Sequence, residues 1–137
     1  MEEKMDCLFC KIIQGEIPAK IIYEDEFTMA FLDLYPNSEG HTLVIPKKHC
    51  VDFTDADLAT AQQVVTAKKA VVEMLHKKLN PVGFNFVSNQ GSEAHQVIFH
   101  YHEHIIPKYM KELGYSPAVS PDPKARDTET IFQIIKK

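Results

Sequence analysis

His100-Tyr101-His102-Glu103-His104-Ile105-Ile106 is the stretch on which the reading of this chain turns. It lies within a run of strand formers, residues 97–107, which predicts a β-strand. Side chains alternate along a strand, so His100, His102 and His104 are expected on one face, with Tyr101, Glu103 and Ile105 on the other. Successive imidazoles would then start about 6.5–7 Å apart at the backbone. Each ring carries two polar nitrogens that need partners, so three in alternation do not make plain core. Two chemistries suit the arrangement. One is a metal site, since neutral imidazole is a common ligand and a His-x-His pair can converge on one ion. The other is nucleophilic catalysis at phosphorus, in which one ring attacks while its neighbours orient it or protonate the leaving group. An attacking imidazole needs the proton on its other nitrogen held by an acceptor, and a nearby backbone carbonyl serves.

Working outward, Leu8–Ile13 is a short apolar stretch that suits one or two helical turns before Gly15 and Pro18. Residues 19–23 and 27–34 read as a hairpin across Glu24-Asp25-Glu26. Residues 41–46 form a third strand closed by Pro46. Thr54-Asp55-Ala56-Asp57 reads as a capping box. Leu58, Ala61, Val65, Val72, Leu75 and Leu79 then mark the buried stripe of one long helix ending near Asn80-Pro81. Residues 84–88 make a fourth strand, residues 97–107 the fifth, and Thr128–Lys136 a short final helix. The expected fold class is α+β: an antiparallel meander of about five strands with one long helix and short terminal helices. One domain is expected over residues 1–137, with residues 1–6 a flexible N-terminus and 110–137 an extended C-terminal tail.

Composition narrows the function classes. The 137 residues are 45% hydrophobic and 25% charged, which excludes global disorder. A net charge of −4 disfavours nucleic acid as partner. The one arginine, Arg126, leaves little scope for guanidinium clamps on phosphate. No apolar run approaches the ~20 residues that span a bilayer, and the acidic start lacks a signal-like apolar region. Three cysteines in such a chain point to a reducing, cytoplasmic setting. Cys7-Leu8-Phe9-Cys10 is a C-x-x-C, which alone is compatible with half a zinc site, a redox pair or coincidence. No thioredoxin-like context surrounds it. Cys50 reads as an inert thiol, and His76 as an exposed helix residue.

The sequence resembles the histidine triad family, whose signature is His-x-His-x-His followed by two apolar residues. The likeness runs from Cys7 to about Tyr109. It includes Phe31-Leu32-Asp33, the run Gly40-His41-Thr42-Leu43-Val44-Ile45-Pro46-Lys47-Lys48-His49, Asn89-Gln90-Gly91, and Gln96 ahead of the triad. Its nearest branch looks like the small nucleotide-phosphoramidate hydrolases, particularly bacterial zinc-containing members. The resemblance implies the following roles. His102 is the nucleophile that forms a nucleotidyl-histidine at the α-phosphate. His104 contacts that phosphate and assists the leaving group. His41 and His100 belong to the same catalytic cluster. Asp33 accepts from the ribose hydroxyls. Phe9, Ile12, Ile17, Phe31 and Leu34 form a slot for a purine base. Asn89, Gln96 and Val97 line the phosphate and leaving-group side. Cys7, Cys10, His49 and His100 hold a structural zinc, so that His100 fixes the chain beneath His102. A homodimer is implied as well.

The sequence departs from the family pattern in places. His95 stands where glycine is common, Val97 where a hydroxyl residue is common, and Glu103 where an apolar residue is common. The tail after Lys108 matches the short phosphoramidase tails poorly. The resemblance therefore implies an enzyme that hydrolyses nucleotide conjugates. A silent nucleotide-binding or scaffold protein, a dinucleoside polyphosphate hydrolase and a metal hydrolase using the His-x-His as ligands are the other readings.

Overall fold

The computed structural model describes residues 6–137, so the flexible N-terminus expected for residues 1–6 lies, Asp6 apart, outside the described residues. Helix α1 spans Leu8–Ile13, with the Cys7 side chain accepting from the Cys10 amide at its start. Strands β1 (Ile21–Glu24), β2 (Thr28–Leu32) and β3 (Thr42–Pro46) follow. Asp25 builds the first hairpin: its Oδ1 accepts from the Phe27 and Thr28 amides and from the Thr28 hydroxyl, and Tyr23 donates to its Oδ2. Helix α2 spans Leu58–Leu79, then come β4 (Gly83–Val87), β5 (Glu103–Lys108) and α3 (Thr128–Lys136).

All pairings are antiparallel, in the order β1-β2-β3-β5-β4. The meander runs through β1, β2 and β3. After α2 the chain returns at the edge as β4, and β5 folds back between β4 and β3. Both faces of the sheet are covered. Ala30, Val44 and Ile105 pack with Val64, Ala67, Val71 and Leu75 of α2. Met29, Phe31, Leu43 and Ile45 pack with Phe9, Cys10 and Ile12 of α1. Two apolar faces explain why every residue of β3 is buried.

Three expectations are corrected. Thr54 does not open α2; the cap is Asp57, which accepts from the Thr60 amide. Asp52 and Asp55 instead bond the amides of Asp55 and Val51, holding the segment in non-helical turns. The buried stripe of α2 is Thr60, Val64, Ala67, Val71 and Leu75, while Leu58, Val65 and Leu79 are exposed. The fifth strand begins at Glu103, so of the three histidines only His104 lies on it. Continuing the β3–β5 register would set Tyr101 opposite Pro46, which has no N–H to give, and the ladder stops short of it. The Tyr101 amide donates to the Cys50 carbonyl instead.

Candidate active site

The expected alternation holds although the ladder stops at Glu103: Tyr101, Glu103 and Ile105 face α2, while Phe9 of α1 packs on both His100 and His102, and His104 lies beside His102. His100 is fully buried beside the cysteines of α1. Its Nδ1 lies 3.3 Å from Cys7 Sγ and 3.7 Å from Cys10 Sγ, while His49 Nδ1 lies 3.3 Å from Cys10 Sγ. The four ligand atoms are all within 4.8 Å of one another. A tetrahedral zinc with two sulfur and two nitrogen ligands spaces S and N by about 3.5 Å, so the donor set and its spacing fit that ion. His100 Nε2 donates to the Pro46 carbonyl at 2.8 Å, which leaves the Nδ1 lone pair toward the sulfurs. Burial pushes His100 down to about 4, keeping the ring neutral. Among the described residues His49 Nε2 has no hydrogen-bond partner, so the polar anchorage of that ring is the thiol cluster alone.

His102 stands on the same side of the sheet, in the wall of a cleft of about 510 Å³. Its Nδ1 donates to the His100 carbonyl at 2.7 Å, which fixes the tautomer and leaves the lone pair on Nε2. Burial holds its pKa below the usual histidine value, against the raising pull of that carbonyl. Phe9 packs edge-on against His102, with ring centres 5.2 Å apart.

His104 is reached by a chain of hydrogen bonds with one consistent direction. The Asn37 amide donates to His41 Nδ1 at 3.0 Å, so the proton of His41 sits on Nε2. His41 Nε2 then donates to His104 Nδ1 at 3.0 Å. His104 therefore carries its own proton on Nε2, as a donor beside His102; the two ring centres are 5.0 Å apart. Asp33 Oδ2 is 3.6 Å from His41 Nε2. Asp33, His41 and His104 also lie close enough to share an ion. The Asn37 amide argues against one, because His41 Nε2 could ligate only if its proton moved to Nδ1, into the face of that N–H. Burial lowers His41 and pushes His104 down to about 4, so both rings are neutral near pH 7.

The cleft brings together most of the residues singled out in the sequence. Phe9, Ile12, Ile17, Phe31, Leu34, Asp33, Asn89, Val97, His102 and His104 line it. His41 stands behind His104 and His100 behind His102. Gln96 is 5% exposed and does not line the cleft. Its Nε2 donates to the Val51 and Ile98 carbonyls and its Oε1 accepts from the Gly91 amide. Glu103 faces α2 and is paired: it accepts from Lys68 and from the Tyr101 hydroxyl. Burial raises the Cys50 thiol to about 11, in keeping with an inert group. Leu8, Pro18, Ala19, Leu32, Tyr35, Leu43 and Ile98 also line the cleft. Two had a signal in the sequence: Leu8 is one helical turn from Ile12, and Pro18 directly follows Ile17.

Residues 14–111 match the family model described as HIT domain. The chain belongs to the HIT family. Within it, an uncharacterized HIT-like protein of Mycoplasma genitalium is 45% identical over 96% of this chain and 92% of its own length. The adenosine 5′-monophosphoramidase of Schizosaccharomyces pombe is 39% identical over 80% of each chain. A zinc-bound histidine triad family protein of Mycobacterium smegmatis superposes with a TM-score of 0.77 at 37% identity, covering 88% of this chain and 86% of its own. This HIT protein thus has a nucleotide-hydrolase relative, and its Cys7-Cys10-His49-His100 cluster could hold a metal. No helix among the described residues is long and apolar enough to cross a membrane.

Proposed function

We propose that this HIT protein hydrolyses purine nucleoside phosphoramidates at the α-phosphate through a covalent nucleotidyl-His102 intermediate. The observation that carries the reading is the 2.7 Å bond from His102 Nδ1 to the His100 carbonyl, which leaves an attacking lone pair at the cleft wall. The phosphoramidase name of the fission-yeast relative supports an amine as leaving group. His102 Nε2 attacks phosphorus, the P–N bond breaks and the amine departs with a proton. Water then cleaves the nucleotidyl-histidine, releasing the nucleoside monophosphate and restoring His102.

His104 Nε2–H donates to the phosphate as its charge develops, its tautomer set by His41 and the Asn37 amide. Asp33 Oδ1 accepts from the Tyr35 amide, and the carboxylate keeps further acceptor sites for ribose hydroxyls. The base lies among Phe9, Ile12, Ile17, Phe31 and Leu34. Asn89 and Val97 serve the phosphate and leaving-group side, and Gln96 acts through the loop it holds. Cys7, Cys10, His49 and His100 would hold a zinc ion, whose contribution would be structural, with α1 tied to the chain beneath His102 through these four side chains. The protein acts in the cytoplasm, as a homodimer.

The test is hydrolysis of adenosine 5′-phosphoramidate by the wild type and by His102→Ala, with folding and zinc content checked in both. Turnover in the wild type is expected, with a loss of at least about 10³-fold in a folded, zinc-loaded variant. Equal rates would overturn the mechanism.

A further inference from the structure

Two non-glycine residues of the described chain have positive φ. Asn80 is accounted for as the C-cap of α2, a common place and residue for the left-handed conformation. His95, at φ 71° and ψ 23°, closes the short 3-10 turn Ser92–Ala94, which glycine or asparagine would close at lower cost. The turn is held firmly. The His95 amide donates to the Ser92 carbonyl and the Gln96 amide to the Gly91 carbonyl, each at 3.0 Å. Buried Gln96 ties the segment to Val51 and Ile98. This scaffold places an exposed imidazole in the wall of the same cleft as His102 and His104. Strain maintained at one residue of a rigid loop, with its ring at a reactive site, is the pattern that signals function.

The reaction itself asks for such a group. An amine leaves phosphorus only with a proton on its nitrogen. His41 and His104 are kept neutral by burial and their protons are committed to one hydrogen-bond direction. An exposed imidazole can exchange protons with water between turnovers.

We propose that His95 is the acid that protonates the leaving amine; the inference rests on the phosphoramidase reading above. In the first step the His102 Nε2–P bond forms, the P–N bond breaks with its electron pair staying on nitrogen, and the imidazolium of His95 gives that nitrogen its proton. In the second step neutral His95 takes a proton from water as the oxygen bonds phosphorus and the His102–P bond breaks. His95 returns to the imidazolium and His102 to the neutral ring.

The test compares two substrates: an adenosine 5′-phosphoramidate bearing an alkylamine, and adenosine 5′-phosphorofluoridate, whose fluoride leaves without a proton. His95→Gly suits the left-handed backbone, and His95→Asn suits it while donating a hydrogen bond but no proton. Both variants should fold, with His95→Gly at least as heat-stable as the wild type. In both, the ratio of amine to fluoride kcat/KM, which reports the first step and not the hydrolysis of the intermediate common to the two substrates, should fall about 10²-fold or more. Equal losses on the two substrates, or an unchanged ratio, would overturn the assignment to His95 while leaving His102 in place. A wild type that turns over neither substrate would overturn the phosphoramidase reading and this inference with it.

Discussion

His104 shows how one residue's burial and hydrogen bonding set a measurable pH dependence. Its imidazole is pushed down to about 4 by burial, then by the neighbouring His102 and His41. An unfolded histidine titrates near about 6.5. Between those values the unfolded chain binds a proton that the folded one refuses, so stability is full above about pH 6.5 and erodes as pH falls toward 4. Urea midpoints at pH 7 and pH 4.5 should therefore differ less for His104→Ala than for the wild type. Gln96 shows what residue identity leaves undecided. Its amide suits a ligand and a loop equally, and only the fold brings the carbonyls of Val51 and Ile98 to it. Asp33 and Asn89 stand on the cleft wall because short turns follow their strands, a placement that the sequence signalled through its turn residues.

At the scale of elements, α2 was legible in extent and misread in rotation. Apolar residues stand side by side at Val64-Val65 and Val71-Val72, so periodicity alone supports two adjacent stripes; the sheet selects Val64 and Val71, both fully buried. Val71→Ala is expected to cost about 2 kcal/mol in chemical denaturation, through lost burial and a residual cavity. Val65→Ala, at a position 55% exposed, should stay within about 0.5 kcal/mol. Strand formers continue back to Val97, but pairing partners do not, so β5 is shorter than its sequence pattern. The cysteine cluster joins α1 to the chain after β3 and the chain before β5. Cys10→Ser should lower bound zinc, read by elemental analysis, from about one per chain toward none, with the thermal midpoint falling alongside.

Across the whole molecule, the order of elements along the chain could be read directly, but the insertion of β5 between β3 and β4 could not. Sequence order records which strand comes next, and pairing is decided by which edge the returning chain meets. Gly40 sits where those parts converge. Its φ is 87°, and an added Cβ would lie 2.7 Å from Leu79 Cδ1 at the end of α2 and 3.3 Å from Pro107 Cγ on β5. Gly40→Ala should destabilise by about 1–3 kcal/mol, seen as a lower unfolding midpoint. His100 links distant parts differently, through two separate pieces of one residue. Its ring belongs with Cys7 and Cys10, while its peptide carbonyl holds His102. Every replacement at position 100 discards the ring and retains the carbonyl. In a suppressor screen, activity lost at position 100 is therefore open to repair by second-site changes that settle the chain again. Activity lost at position 102 has no such route back, because the missing part is the proposed nucleophile itself.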